Sequence, residues 1–147
     1  MFFIIEQDTI KLLRECDAGV KMGVTSINEV YDHASSHKMR NCLDACKDEH
    51  DKLDKELQEL LGHYHDDGKN PNPIAQGMSW IKTNLKLGLN GSDNTIANLM
   101  TDGCDMGVKS LTRYLNQYQA ADEKSKDICK RLIKLEEKLR TQMKEFL

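Results

Sequence analysis

The sequence predicts an all-α chain folded as a four-helix bundle, and three observations carry that expectation. Apolar residues recur at steps of three and four along four long segments, the period of a helix with one buried face. Both prolines, Pro71 and Pro73, fall in a single loop, which leaves the long segments free of helix-breaking residues. A six-residue pattern, Cys-Asp-x-Gly-Val-Lys, occurs at Cys16–Lys21 and again at Cys104–Lys109. The 147 residues make one domain, 1–147, long enough to bury roughly 70% of the surface that the unfolded chain exposes.

The first helix is expected from Asp8, a helix-capping residue type, to Ala34, with Leu13, Val20, Val24, Ile27 and Tyr31 on its apolar stripe and Asp17 interrupting it. The second starts after Ser35-Ser36 and carries Met39, Cys42, Cys46, Leu53, Leu57, Leu60 and Tyr64. Here His50 fills the gap in the stripe. This helix ends near His65, ahead of the breaker Asp66-Asp67-Gly68-Lys69-Asn70-Pro71-Asn72-Pro73.

Ile74, Met78, Ile81 and Leu85 then predict a short crossover helix holding Trp80, stopped by Gly88 and Asn90-Gly91. Ser92-Asp93 caps a third long helix with Ile96, Leu99, Met100, Leu111, Tyr114 and Tyr118 on its apolar side. A fourth follows Ala121-Asp122, with Ile128, Leu132, Leu135, Leu139 and Phe146.

The repeat pairs the first helix with the third, and seven positions past each Lys, Asn28 answers Asn116. A weaker echo links Asp44-Ala45-Cys46-Lys47 to Asp127-Ile128-Cys129-Lys130. Two related hairpins joined by a long crossover is the organisation of a ferritin-like bundle. Trp80-Ile81-Lys82, the Gly91-Ser92-Asp93 cap and Asp102-Gly103-Cys104-Asp105 followed by Tyr114 resemble a small bacterial family of unknown function in the ferritin-like superfamily. The resemblance runs from about Ile10 to Met143 and implies a ferritin-like four-helix bundle; it implies no reaction.

The ferritin di-iron signature requires a Glu-x-x-His from each of two helices. Three residues before His33, His37, His50, His63 and His65 stand Val30, Ala34, Lys47, Leu60 and Gly62, and no histidine follows His65. The signature is absent, so di-iron chemistry of the usual kind is not expected.

Composition narrows the function further. A net charge of -3, with 31% of residues charged and both signs interspersed, gives no basic face for nucleic acid. The run Lys124, Lys126, Lys130, Arg131, Lys134 is interrupted by acids and reads as a solvated helix face. No stretch approaches the length needed to span a membrane. Met1-Phe2-Phe3-Ile4-Ile5 lacks the basic start of a signal peptide. Five cysteines with no CxxC spacing fit a reducing cytoplasm.

One constellation invites a chemical reading. Asp17, His50, Asp105 and Glu136 all fall near the middles of their helices, which at about 1.5 Å per residue places them in one central layer. Bundles hold metals at that level. Two Asp, one Glu and one His suit a single Fe, Mn or Zn ion, with Glu49 as an alternate ligand. The competing reading is a buried polar layer in which His50 pairs with Asp17 or Asp105 and fixes helix register without metal.

The cysteines read as small buried hydrophobes. Gly19, Gly23, Gly103 and Gly107, unusual inside helices, indicate close helix approach or room for a bulky neighbour. The function expected is a non-enzymatic structural or interaction protein that self-associates. The alternative is a metal-binding or oxidoreductase protein using the central layer, and a remote third is a thiol sensor.

Overall fold

A computed structural model describes residues 2–71 and 92–147. Among them are four α-helices, no strand, and one short 3-10 turn: α1 (Phe2–Tyr31), α2 (His37–His63), α3 (Asp93–Gln117), α4 (Glu123–Met143) and the turn Lys144–Phe146. The expected crossover helix with Trp80 lies outside the described residues.

Three helix starts follow the sequence signals. Ser36 Oγ accepts from Met39 N at 3.3 Å, Ser92 Oγ from Thr95 N at 3.3 Å, and Asp122 Oδ1 from Ser125 N at 2.9 Å. Each satisfies a backbone donor that a helix start leaves without an intrahelical acceptor. The expected cap at Asp8 is corrected: α1 begins at Phe2, because Phe2–Gln7 contains no breaker and simply continues the helix. Asp8 accepts from Ala120 N at 3.0 Å, and Thr9 Oγ1 accepts from Asp122 N at 2.9 Å, so both serve the α3–α4 turn.

These end contacts set the helix directions. The start of α1 meets the α3–α4 turn, while Ser35 N and Ser36 N in the α1–α2 turn donate to Asp93 at the start of α3, at 2.8 and 3.0 Å. The hairpins α1–α2 and α3–α4 are therefore antiparallel, and α2 and α3 run the same way. Packing is closest within the hairpins, then between α2 and α4, with α1 touching both α3 and α4. α2 closes with Asp66 N donating to Leu61 O and His65 N to Gly62 O, with His65 in the left-handed region at φ 55°. That is the Schellman arrangement, usually built on glycine.

The core divides into two apolar halves. One gathers Ile27, Val30, Leu43, Cys46, Met100, Cys104 and Leu139; the other gathers Val20, Leu53, Leu57, Leu111, Ile128 and Leu132. Between Val20 and Ile27 stands Gly23; between Cys46 and Leu53, His50; between Cys104 and Leu111, Gly107; between Leu132 and Leu139, Glu136. One residue per helix thus forms the dividing layer. Two are polar and two lack a side chain.

Candidate binding cleft

The two glycines turn this layer into an opening. A Cβ on Gly23 would stand 2.6 Å from His50 Nε2, and one on Gly107 would stand 3.4 Å from Glu136 Oε2. Glycine at both points lets the polar pair reach the α1–α3 face. There a cleft of about 330 Å³ lies along the two helices. Met22 and Ile27 from α1, and Met100, Met106 and Leu111 from α3, give it apolar walls; His50 and Glu136 line it at mid-length. A Cβ at Gly103 would meet nothing within 4 Å. Toward the α1 start, the lining includes Tyr114, Pro71 and the ion pair of Glu15 with Lys69 at 2.6 Å.

The proton inventory of the pair follows from its hydrogen bonds. His50 Nδ1 lies 2.8 Å from the Cys46 carbonyl oxygen, which can only accept, so Nδ1 carries a hydrogen. Nε2 faces Glu136 Oε1 at 3.3 Å, and one proton must lie between them. Burial alone would lower the His50 pKa, but hydrogen bonds to Cys46 and Glu136 outweigh it and hold it at about 10. At neutral pH the pair is therefore an imidazolium facing a carboxylate, with side-chain exposures of 1% and 13%. Mutual pairing is what makes such burial tolerable.

Two of the buried thiols, Cys104 and Cys16, are shifted away from the thiolate. Cys104 lines the cleft against Glu136, and burial together with that carboxylate's charge raises its pKa. Cys46 Sγ lies 3.5 Å from His50 Nδ1, but it does not line the cleft, and the Nδ1 hydrogen is engaged by the carbonyl oxygen. Cys16 is raised well above the ordinary thiol range, first by its hydrogen bond with Cys129 and then by burial. A nucleophilic thiol needs the opposite shift.

Of the four residues expected in a metal layer, His50 and Glu136 meet and the other two stand apart. Asp17 is six residues before Gly23, about 9 Å along the axis from the layer. It is fully buried and accepts from Lys21 Nζ at 2.7 Å, Gln58 Nε2 at 2.8 Å and Lys69 N at 2.9 Å. Asp105 precedes Gly107 by two residues, a rotation of about 200° that turns it to the outer face, where it pairs with Arg140. Glu49 is also on the outside, 3.6 Å from Lys52. Among the described residues, no group of three or more His, Cys, Asp or Glu side chains could hold a metal ion. The partner of His50 is Glu136, not Asp17 or Asp105.

The cleft is a feature that apolar periodicity does not mark. Its signal was present in Gly23 and Gly107, each one heptad position between core residues and level with His50 and Glu136. Set against protein-family models, curated proteins and solved structures, the chain matches none, so the site is read from its geometry.

Proposed function

We propose that this chain is a non-enzymatic, ferritin-like helical bundle that acts by binding, with the α1–α3 cleft as its binding site. The parallel course of α2 and α3, joined by one long connection, supports that architecture. The observation that carries the binding role is a 330 Å³ apolar cleft with a buried charged pair at its mid-length. Ligand sites combine these features: apolar walls and a few fixed polar groups. No helix among the described residues is long and apolar enough to cross a membrane, and five free thiols fit a reducing cytoplasm.

The test uses naphthalene as a probe, since the cleft is about twice the roughly 150 Å³ that accommodates benzene in a protein interior. Titration followed by NMR should give saturable shifts at the amides of Gly103 and Gly107. Gly103→Leu, which fills open space, should abolish them with the circular dichroism spectrum unchanged. Naphthalene that fails to bind, or binds the variant equally well, would overturn the reading.

A second reading, self-association, has its own observation: Phe3 and Ile4 are 71% and 56% exposed at the start of α1. Light scattering of the chain and of a Phe3→Ser/Ile4→Ser variant checks it, with a larger species expected only for the unsubstituted chain. The metal alternative retains two protein ligands, His50 and Glu136; calorimetric titration with Zn²⁺ showing stoichiometric binding lost in His50→Gln would favour it over the apolar-ligand reading.

A further inference from the structure

The hydrogen-bond pattern of the cleft specifies what its ligand must present. His50 has two ring nitrogens, and both are engaged: Nδ1 donates to the Cys46 carbonyl and Nε2 shares its proton with Glu136 Oε1. The ring therefore offers the cleft no hydrogen. Glu136 retains a second oxygen, Oε2, beside Gly107 on the cleft lining. Among the described residues, the other group against this carboxylate is the Cys104 thiol, a weak donor. At the cleft's α1-start end, Glu15 and Lys69 pair with each other at 2.6 Å. Glu136 is thus the strong acceptor at mid-cleft, and a carboxylate oxygen in apolar surroundings is costly without donors.

Charge narrows the class again. A ligand carboxylate would face the like charge of Glu136, and the imidazolium that could offset it is already committed to that residue. A ligand ammonium would leave water for apolar walls where one carboxylate oxygen is free to accept its three hydrogens. We infer, on the reading that the cleft binds ligand, that it selects an uncharged compact apolar molecule bearing a hydroxyl, which donates to Glu136 Oε2. In this arrangement Glu136 is the anchoring residue. His50 is a positioning residue: it touches the anchor and fixes which oxygen points into the cleft.

Three probes of one shape test the inference: naphthalene, 2-naphthol and 2-naphthoate, titrated calorimetrically into the full chain at pH 7. The expected order is 2-naphthol tightest, by roughly tenfold or more over naphthalene, as for a hydrogen bond to a charged acceptor, with 2-naphthoate weakest. Glu136→Gln should shrink the 2-naphthol preference to within a fewfold and raise the affinity for 2-naphthoate. Should that variant fail to fold, the order of the three probes on the unsubstituted chain is decisive without it. 2-Naphthol no tighter than naphthalene, or 2-naphthoate tightest, overturns the hydroxyl assignment while leaving the cleft as a binding site. Failure of all three overturns the cleft and this inference together.

Discussion

The two copies of the repeat invite comparison because they begin alike and end differently. Cys16 and Cys104 are both buried, as the shared pattern leads one to expect. The next residue parts company. Asp17 is fully buried and takes three donors, whereas the side chain of Asp105 is 55% exposed and pairs with Arg140. What differs is the surrounding chain. The segment after α2 folds back over Asp17, bringing the Lys69 amide to its carboxylate and Gly68, at φ 83°, against it. The described contact at Asp105 is the Arg140 side chain. A repeat therefore fixes which residues face inward along a helix, but the elements laid over that helix decide whether a flanking carboxylate is covered.

The cleft combines one shared repeat position, Gly19 and Gly107, with several where the repeats diverge. At the repeat spacing, Gly23 answers to Leu111 and Gly103 to Glu15, while in the weaker repeat His50 answers to Ile133 and Glu136 to Leu53. Each divergence replaces a side chain by space or an apolar residue by a charged one. The pseudo-symmetric bundle is broken at one level, and the polar pair and the opening occur together there.

The largest effect expected of a single substitution is at the covered aspartate. Asp17→Ala strands donors gathered around a buried charge and should cost about 2–3 kcal/mol in urea unfolding. Asp105→Ala removes an exposed ion pair and should cost under about 0.5 kcal/mol. Equal costs would erase the contrast between the copies.

Gly23→Ala comes next. The added methyl meets His50 Nε2 on a fully buried ring, so overpacking should outweigh the gain in helix propensity and destabilise by about 1–2 kcal/mol. Gly103→Ala is its counterpart on the facing helix. With nothing within 4 Å, it should instead stabilise by up to about 1 kcal/mol. Opposite signs in the same thermal-unfolding series would establish that the two glycines serve different ends, one for contact and one for space.

The pH dependence sharpens the layer itself. His50 is held at about 10 in the folded chain, above its ordinary value near 6.5. A raised pKa stabilises the fold fully below the unfolded value, and that contribution is lost as pH rises through the folded one. Melting temperature should therefore fall between pH 6.5 and pH 10, and His50→Gln should flatten that part of the profile. An unchanged slope in the variant would place the titration elsewhere.

Much of this was legible along the chain. Helical periodicity marked the four long helices; Ser92 caps where a cap was expected, and Ser36 and Asp122 cap helices whose starts were placed just after them, because capping depends on residues three apart. The interruption of apolar stripes by Asp17 and His50 also signalled burial correctly. Axial counting placed His50 and Glu136 at one level, since rise per residue is constant. It failed for Asp17, about 9 Å from that level, and for Asp105, where rotation about the axis, not height along it, governs which way a side chain points.

The sequence by itself determined that four long helices form, which faces turn inward and that His50 and Glu136 share a level, all of which follow from local backbone geometry. Only the tertiary structure decided that Glu136 rather than an aspartate would meet His50, that the loop after α2 would cover Asp17, and that Gly23 and Gly107 would line one cleft. Those outcomes depend on how helices rotate and approach one another, and that is set by the packing of side chains far apart in the chain.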